Sequence, residues 1–483
     1  MSDAVISRRG NINSNNNSIS SNSIYATLRI NTYPNIKVTC VNEDNSKSYK
    51  AYSYSNGVAF FNVGYGLWYI NCEYKGNQIS TTQYVDILQI YNIYLPDRRT
   101  YGIEVDQTTG KCVYTDDATE FTPVSYDEEG QFNYGDWNDI VTDFIGCRPC
   151  LLNTDAENEE ERVIYLNPND YNKTLDGNNI DISGNNVNGN VMVEFAPLWY
   201  KFSSNDNILK FQISNYDRSS EELGNFTLGC FRNKEDPIYY SAYDGSYIND
   251  TIRSLSGKTP KIINYDTYSG ANPPVYNPTD HISVYINNNG EGYYTERWAY
   301  RSYILGLLLL LTKNVNVGKS LYGESSNTYP VVSGLLDKCG LFAKNNNGIV
   351  KCLGIENLWG KYSICAGLTL KSSATHTSSS INVADIDGNI IGTSSILSFN
   401  SYLPYTFSGW GSALYPKNQE SSSQLGDTLY LYNIHNSYLF ACVGGLNGTS
   451  GGPFHICFSE LKDGEGPFRD GINPRLTYQK PVS

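Results

Sequence analysis

Charged, histidine and methionine side chains are scarce in this chain. Asp, Glu, Lys and Arg make up 17% of its 483 residues, whereas about 25% is usual in soluble domains. The polar surface must therefore come mainly from Asn, Ser, Thr, Gly and Tyr. The formal net charge of −14 repels nucleic-acid phosphates and anionic membranes. We predict no nucleic-acid partner, because no basic patch interleaved with aromatic residues offsets this charge.

The sequence also lacks the common motifs of catalytic and metal sites. Its four histidines, at positions 281, 376, 435 and 455, have no HExxH spacing. No GxSxG motif occurs, and Gly318-Lys-Ser320 lacks the upstream glycine of a P-loop. Cys147 and Cys150 supply only two of the four ligands of a structural zinc site. We predict that the protein is not an enzyme, has no catalytic residues and needs no metal or cofactor.

Long apolar runs and dense cysteine patterns are missing as well. The strongest apolar run, residues 303–311, is nine residues long, whereas a membrane-spanning helix needs about 20. The first ten residues lack the apolar segment of a signal peptide. Eleven cysteines are spread between Cys40 and Cys457, and we expect mainly buried free thiols. These features predict synthesis in a reducing cytoplasm without a signal peptide, and no membrane insertion.

Tyrosine, in contrast, is abundant, with 41 copies. Tyr supplies rigid, amphipathic contact area, and Ser, Gly and Asn add adaptable hydrogen bonds, which is the residue set of evolved binding surfaces. An AT-rich genome produces the same bias, since Asn, Tyr, Ile and Lys have AT-rich codons. Composition leaves both explanations open.

The chain divides into three parts by pattern. Residues 11–24 are polar and of low complexity, which predicts a flexible connector. Residues 25–96 alternate apolar and polar side chains in short segments separated by turns, which predicts a small antiparallel β-sandwich. The predicted core residues of this module are Ala26, Leu28, Ile30, Ile36, Val38, Cys40, Val58, Phe60, Trp68, Ile70, Cys72, Val85, Ile87, Tyr91, Ile93 and Leu95.

The remaining residues, 97–483, show short strands, many Asn/Gly turns and one clear helical pattern. The pattern covers residues 295–312, with Trp298 and Leu307 on its apolar face. Glu296, Arg297 and Arg301 fall on the other face, and the apolar run at 303–311 predicts a core helix.

Seven phrases in this region carry a family resemblance. They are residues 113–118, 253–260, 301–313, 354–360, 443–445, 451–454 and 473–478. Their sequences and order resemble bacteriophage tail adhesins with a C-type lectin fold. This family includes targets of diversity-generating retroelements, such as the major tropism determinant, and is distantly related to formylglycine-generating enzymes.

The resemblance implies a fold that is mainly β with some α. A C-type-lectin-like, or formylglycine-generating-enzyme-like, α+β domain is expected at residues 97–483, after a transthyretin- or immunoglobulin-like sandwich at 25–96. Residues 6–10 are similar to the beginnings of phage tail proteins. Residues 1–24 are therefore expected to attach the chain to other tail or baseplate proteins, and the family implies a homotrimer.

The phrase at 354–360 is predicted to be structural. Its apolar side chains suit a protein core, and its polar ones can cap the surrounding backbone through hydrogen bonds. The expected structural motif consists of Gly354, Glu356, Asn357, Trp359 and Gly360.

Receptor recognition is expected between residues 402 and 459. The resemblance implies that the varied residues lie here, on an exposed face of the lectin fold, and aromatic anchors with Asn and Ser fit both glycan stacking and protein contact. Glycine pairs would present residues 446–450 as one patch, flanked by Tyr438 and His455 on neighbouring strands. The predicted receptor-binding residues are Tyr405, Trp410, Tyr432, His435, Tyr438, Leu446, Asn447, Thr449, Ser450 and His455.

The expected function is a phage tail fibre or tip adhesin, located in the virion, that binds a bacterial cell-surface receptor non-covalently. Two alternatives stay open: a structural baseplate or decoration protein, and a tail spike that cleaves polysaccharide. Asp116, Asp117 and residues 159–161 supply carboxylates. Paired glycosidase acids are about 5 to 10 Å apart in space, and sequence does not give that separation.

Overall fold

The computed structural model describes most of the chain from Tyr25 onward. The described residues are 25–33, 35–54, 57–74, 77–95, 98–185, 188–261, 281–322, 332–346, 348–360, 362–372, 379–396, 402–404, 406–417, 428–432, 438–444, 453–454, 456–459 and 472–481. The predicted attachment segment at 1–24 lies outside them. The described part is mainly β, as expected, with many antiparallel strand pairs and few helices. The chain separates into two compact units between Arg99 and Thr100, three residues beyond the boundary expected after residue 96.

Unit 1, which ends at Arg99, is built from two small sheets. Strands β4, β1 and β7 form one sheet, and strands β3, β2, β5 and β6 form the other. β1 pairs with β4 antiparallel and with β7 in parallel, and the second sheet is antiparallel throughout. The strands are β1 (Ala26–Asn31), β2 (Lys37–Asn42), β3 (Ser48–Tyr52), β4 (Val58–Val63), β5 (Gly66–Tyr74), β6 (Asn77–Val85) and β7 (Ile90–Tyr94).

Buried side chains from both sheets of unit 1 form one core. Trp68 is 1% exposed, stacks on Tyr49 with ring centres 5.6 Å apart, and donates its indole N–H to the Gly64 carbonyl over 3.0 Å. Two predicted core residues are wrong: Phe60 is 47% exposed and Ile87 is 52% exposed. In β4 the buried side chains are those on either side of Phe60, and successive strand residues point to opposite faces.

We expect unit 1 to fold by itself, because its core closes without side chains from the rest of the chain. Residues 25–99 expressed alone should give a β-type circular dichroism spectrum and a cooperative thermal melt. Trp68→Ala should lower the free energy of unfolding by about 3 to 5 kcal/mol. Tyr84→Ala, at a 61% exposed position of the same sheet, should change it by about 0.5 kcal/mol or less. A random-coil spectrum of the isolated segment would refute the expectation.

Unit 2, from Thr100, contains three larger sheets and some short ones. Its first strands are β8 (Thr100–Asp106), β9 (Cys112–Asp116), β10 (Ser125–Tyr126), β11 (Phe132–Asn133), β12 (Arg148–Leu152), β13 (Val163–Asn167), β14 (Asp170–Thr174), β15 (Asn190–Phe195), β16 (Trp199–Asn205), β17 (Ile208–Ser214), β18 (Ile238–Ser241), β19 (Ser246–Ile248), β20 (Thr251–Arg253) and β21 (Tyr293–Thr295). The later strands are β22 (Ala343–Lys344), β23 (Val350–Cys352), β24 (Ile355–Glu356), β25 (Tyr362–Ser372), β26 (Ser379–Ala384), β27 (Ile390–Ile396), β28 (Tyr402–Pro404), β29 (Thr406–Gly411), β30 (Ala413–Lys417), β31 (Thr428–Tyr432), β32 (Tyr438–Val443), β33 (Ile456–Ser459), β34 (Ile472–Asn473) and β35 (Leu476–Gln479).

The strand orders of unit 2 bring distant parts of the sequence together. The six-stranded sheet has the order β30-β29-β16-β17-β8-β9, and the seven-stranded sheet has the order β14-β13-β12-β15-β18-β35-β21. The eight-stranded sheet runs β27-β26-β25-β32-β33-β31-β28, with β34 also paired to β25. Small sheets join β10 with β11, β19 with β20, and β22 through β24. The chain's last described strand, β35, thus lies between β18 and β21.

The helices of unit 2 are short except for one. They are α1 (Glu159–Arg162), α2 (His281–Asn287), α3 (Trp298–Thr312) and α4 (Val317–Tyr322), with 3-10 turns at Gly135–Trp137 and Glu221–Leu223 and a π-helix at Ile140–Phe144. All residues of α3 are buried, so the core helix expected from the apolar run at 303–311 is confirmed. Arg301, expected on a polar face, is buried as well. Gly306 lets α3 approach β17 closely, since an added Cβ would lie 2.7 Å from the Phe211 ring. Although α3 is apolar, neither it nor another described helix is long and apolar enough to cross a membrane.

The cysteines in the described part whose state is defined are free thiols, and most are buried. Cys147 and Cys150 are both buried, and the Cys147 thiol donates to the Leu353 carbonyl over 3.3 Å. Burial raises the pKa of both thiols above the ordinary value. Such thiols are poor nucleophiles and poor metal ligands, so this pair serves the core.

Candidate functional site

Most of the predicted receptor-binding residues lie outside the described part of the chain. These are Tyr405, His435, Leu446, Asn447, Thr449, Ser450 and His455. The backbone is described at the other three predicted positions: Trp410 lies in β29, Tyr432 is the last residue of β31, and Tyr438 is the first residue of β32.

Trp410 belongs to a different sheet from the two tyrosines. It pairs with Ser203 of β16 and Ala413 of β30 in the six-stranded sheet. Tyr432 and Tyr438 belong to the eight-stranded sheet. The predicted residues are therefore carried by two sheets rather than one.

The register of the eight-stranded sheet separates the remaining positions further. β32 is antiparallel to β33, with Val443 opposite Ile456, and β31 is parallel to β33. Tyr432 and Tyr438 therefore lie at one end of these strands, and Gly444 and Ile456 lie at the other. Tyr438 and Gly444 are six residue steps apart along the strand, which is about 20 Å at roughly 3.3 Å per residue.

We call the second of these ends the 444 end. Pro404 of β28 and Thr428 of β31 also lie there, because they pair with each other and β31 begins level with Ile456. Tyr405 follows Pro404 directly, and residues 445–455 connect Gly444 to Ile456 apart from the described pair 453–454. In the sequence, six predicted residues adjoin the described strand ends at the 444 end, whereas Tyr432 and Tyr438 lie at the opposite end. The patch at 446–450 lies outside the described residues, so the expectation that Tyr438 flanks it stays a prediction.

The predicted structural motif at 354–360 adopts a backbone that fits its residue types. Gly354 has φ +77°, and an added Cβ would lie 2.7 Å from the Tyr171 hydroxyl. Asn357 has φ +54°, a conformation that Asn tolerates better than most residues. The two Glu356 carboxylate oxygens accept the backbone N–H groups of Gly334 and Leu336 over 2.9 and 2.8 Å. Glu356 thus satisfies the backbone of another segment, the role expected from the sequence.

The same motif holds the 444 end of the eight-stranded sheet. The Gly360 N–H donates to the Gly444 carbonyl over 2.7 Å. Trp359 is 3% exposed and belongs to the main core of unit 2. The strands that carry residues 445–455 therefore start from a backbone fixed to the core.

A buried ion pair lies beneath this motif. Arg301 of α3 and Glu296 are both fully buried, with Nη1 and Oε1 3.2 Å apart. Glu296 also accepts hydrogen bonds from Ser363 Oγ, over 2.6 Å, and from the Tyr240 hydroxyl. Burial lowers the pKa of Arg301, but Glu296 and Tyr240 raise it to a net value above the ordinary one. Arg301 therefore keeps its charge, and the ion pair with its hydrogen bonds offsets the cost of removing the guanidinium from water.

Arg301 also ties two other segments to α3. Its Nη2 donates to the Leu358 carbonyl over 2.7 Å and to the Pro453 carbonyl over 3.2 Å. Leu358 lies in the motif at 354–360, and Pro453 is in the connection between β32 and β33. One guanidinium thus anchors a point within the predicted recognition segment.

Arg475 performs the same task for the end of the chain. It pairs with Asp244 Oδ1 over 2.7 Å and donates to the Glu356 carbonyl. Asn473 donates to Asp244 Oδ2 over 3.1 Å. The segment before β35 is thereby joined to the motif and to the loop after β18.

A third cluster of buried charge surrounds Glu356. Lys351 donates to the Leu336 carbonyl over 3.0 Å and lies 3.5 Å from the centre of the Tyr171 ring. Burial lowers the pKa of Lys351 to about 8, although Glu356 and Asp337 oppose this change. Burial, together with the Asp337 carboxylate, raises the pKa of Glu356 to about 7. Raised carboxylate pKa values in clefts often mark active sites, but Glu356 is 1% exposed and out of reach of a substrate.

Glu356 should make stability depend on pH. Its pKa is about 7 in the folded protein against an ordinary value of 4.5. Between these values the folded protein keeps a proton that the unfolded chain has lost, so stability falls as the pH rises through this window. Glu356→Gln should flatten the fall in melting temperature between about pH 4.5 and about pH 7. Glu104→Gln, at a half-exposed ion pair with Lys210, should keep the wild-type slope, and an unchanged slope in Glu356→Gln would contradict this assignment.

The carboxylates considered as glycosidase acids are engaged in structural contacts where the structure describes them. Asp117 Oδ2 accepts the Thr100 N–H over 2.8 Å, and Asp116 Oδ2 accepts Gln212 Nε2 over 2.7 Å. Residues 159–161 lie in α1. Within the described residues, no three or more His, Cys, Asp and Glu side chains are grouped to hold a metal ion.

Sequence reasoning missed a polar pocket of about 160 Å³ in unit 2. It lies where β12 and β20 end and where β15 and β21 begin, and most of its lining side chains are Asn, Thr, Asp, Arg or Tyr. Arg253 is a pocket residue and also the first residue of a phrase that carries the resemblance. The residues that line the pocket with Arg253 come from segments up to about 140 residues apart in the sequence. The sequence around Arg253 alone therefore does not distinguish it from a scaffold residue.

Comparison with known proteins assigns no family to the chain. No protein-family model matches it, and no curated protein matches it significantly. Function is therefore inferred from the geometry of the described residues and from the sequence phrases.

Proposed function

We propose that this protein is a receptor-binding adhesin of a bacteriophage tail or a tail-like particle, which attaches non-covalently to a bacterial surface receptor. The observation that carries the proposal is the way the family-like phrases interlock. Five of the seven phrases, far apart in the sequence, contact one another directly through buried hydrogen bonds.

These contacts form one continuous frame. Arg301 binds the carbonyls of Leu358 and Pro453, Arg475 binds the carbonyl of Glu356, and Gly360 binds Gly444. Chance similarity of short phrases would not require them to meet in space. Their joint burial supports a shared fold, and we propose a C-type-lectin-like α+β domain for unit 2 and a transthyretin- or immunoglobulin-like sandwich for unit 1.

A frame of this kind suits recognition by the segments that it carries. Binding residues are commonly found on loops that a rigid scaffold positions. The stretch from Tyr430 to Ser459 contains no Asp, Glu, Lys or Arg, and it is rich in Tyr, Asn, Ser and Gly. Because the core below is closed by its own ion pairs, substitutions in this stretch can change binding without loss of the fold. We place the main receptor contact at the 444 end, where six of the predicted residues attach.

The test compares the two ends of the eight-stranded sheet. Joint alanine substitution of Leu446, Asn447, Thr449 and Ser450 should abolish adsorption of the protein to host cells, with an unchanged melting temperature. Tyr432→Ala with Tyr438→Ala should reduce adsorption less, because these positions lie about 20 Å away along the strands. Tyr69→Ala with Tyr84→Ala, at exposed positions of unit 1, should have no effect.

The same variants separate the proposal from its alternatives. A structural baseplate or decoration protein would leave adsorption of assembled particles intact when the 444-end residues are replaced. A polysaccharide-cleaving spike would release soluble sugars from host cell wall, which an adhesin does not. Normal adsorption by the 444-end variant would place the receptor site elsewhere in the chain.

We also propose that the adhesin is a homotrimer, anchored to other tail or baseplate proteins through its N-terminus. Single lectin–ligand contacts are weak, and tethered copies raise avidity by about 10² to 10⁴ without new contacts. Light scattering of the purified full chain should give three times the chain mass of 54.0 kDa. A monomer mass over a wide concentration range would contradict self-assembly of the trimer.

A further inference from the structure

The polar pocket of unit 2 is built from parts that are held rigidly. Asn289 donates to the carbonyls of Ile252 and Ile286 over 2.7 and 2.8 Å. Its Oδ1 accepts Asn190 Nδ2 over 2.9 Å, while Asn190 Oδ1 accepts the Ser254 N–H over 2.9 Å. These two amides lock β15, β20 and the end of α2 together. The wall of the pocket is thus fixed before any ligand arrives, which lowers the entropy cost of binding.

Arg253 gives this pocket a positive charge. Within the described part of the chain, its guanidinium donates to a carbonyl, that of Gly189, rather than to a carboxylate. Burial lowers the pKa of Arg253, and Tyr293 and Asp155 oppose this change only in part. A half-buried guanidinium that has lost some of its hydration, and that no described carboxylate meets in a hydrogen bond, is stabilised when an anion pairs with it directly.

Other lining groups have hydrogen-bonding capacity to spare. Thr154 Oγ1 donates to the Asn289 carbonyl over 3.2 Å, which leaves its oxygen lone pairs as acceptors. The Asn288 side-chain amide donates to the Asp250 backbone carbonyl over 2.7 Å, and the Asn288 Oδ1 atom has no hydrogen bond to the described residues. The exposed Asp155 carboxylate can accept hydrogen bonds from hydroxyl groups. These donors and acceptors on several walls suit a ligand with many hydroxyl groups.

The size of the pocket suits one small unit. At about 160 Å³ it is smaller than pockets for drug-sized ligands, which hold about 300 to 1,000 Å³. A single sugar or polyol unit is of this size.

From the guanidinium and the ring of amide and hydroxyl groups around it, we propose that this pocket binds a polyhydroxylated unit that carries one anionic group. Arg253 pairs with the anion, and Asn288, Thr154 and Asp155 bind the hydroxyl groups. Hexuronic acids and polyol phosphates share this chemistry, and both are small enough. The pocket residues are not among those proposed for receptor contact, so the inference does not depend on that proposal.

Isothermal titration calorimetry on the full-length protein tests the inference with three probes: glucuronate, glycerol 3-phosphate and glucose. At least one anionic probe should bind tenfold or more tightly than glucose, and its affinity should fall as the salt concentration rises. Tighter binding of glucuronate would identify a uronic acid as the source, and tighter binding of glycerol 3-phosphate a polyol phosphate. Failure of both anionic probes to bind better than glucose would overturn the proposal.

Two variants tie the binding to the pocket. Arg253→Gln should remove the preference for the anionic probe, with at least a tenfold loss of affinity. Asp155→Asn, at an exposed position, keeps a side-chain oxygen that accepts hydrogen bonds from hydroxyl groups but removes a negative charge near the bound anion, so it should raise that affinity severalfold. Arg218→Gln is the matched control, since Arg218 also donates to a backbone carbonyl, that of Leu223, but does not line the pocket.

The Asp155 variant keeps the test decisive if Arg253→Gln unfolds the protein. A rise in affinity for the anionic probe in Asp155→Asn supports the assignment without any change to the pocket frame. Unchanged affinity in both variants, at wild-type melting temperatures, would place the binding outside this pocket and refute the inference.

Discussion

The burial of two guanidinium groups, Arg301 and Arg475, is the constraint on which unit 2 depends. Each is fully buried and meets a buried carboxylate, Glu296 or Asp244. Replacing one partner of such a pair leaves an uncompensated charge in the core, at a cost of about 3 to 5 kcal/mol. Because both guanidinium groups also donate to backbone carbonyls of distant segments, the ion pairs fix the chain path as well as the charge balance. The motif at 354–360 is held from both sides in this way.

This frame explains how a segment with few charges can be attached firmly. The connection between β32 and β33 contacts the core through Pro453, and the strand ends are joined through Gly444. Both bonds are made by backbone atoms of the segment, so they do not depend on which side chains the segment carries. A chain built like this can keep its fold while the side chains of the segment vary, which is a physical requirement for any variable recognition surface.

The sequence pattern predicted strands in which apolar and polar residues alternate. It failed for the helical pattern at 295–312, whose charged residues are buried together with its apolar ones. The strands of unit 1 follow from apolar residues at every second position. Phe60 is an exception because alternation does not fix which of two adjacent apolar residues faces inward, and Ile87 is one because it lies between β6 and β7, where alternation does not apply. For α3, the charged residues Glu296 and Arg301 indicated a solvent-facing side, but an ion pair lets that side be buried too. The strand order β25-β32-β33-β31-β28 could not be read from the sequence, because β31 pairs with β33 across an intervening strand in the chain. Without that order, the sequence does not show that Tyr432 and Tyr438 share one end of these strands.

Charge balance distinguishes Arg253 from the two buried arginines of the core. Arg301 and Arg475 are more deeply buried than Arg253, yet each is neutralised by a carboxylate within the chain. Arg253 loses part of its hydration and receives a carbonyl instead. A protein of net charge −14 has many carboxylates available, yet among the described residues none is hydrogen-bonded to this guanidinium, and Asp155 opposes the lowering of its pKa only in part. A small anion that enters the pocket and pairs with Arg253 would offset the hydration that the guanidinium has lost.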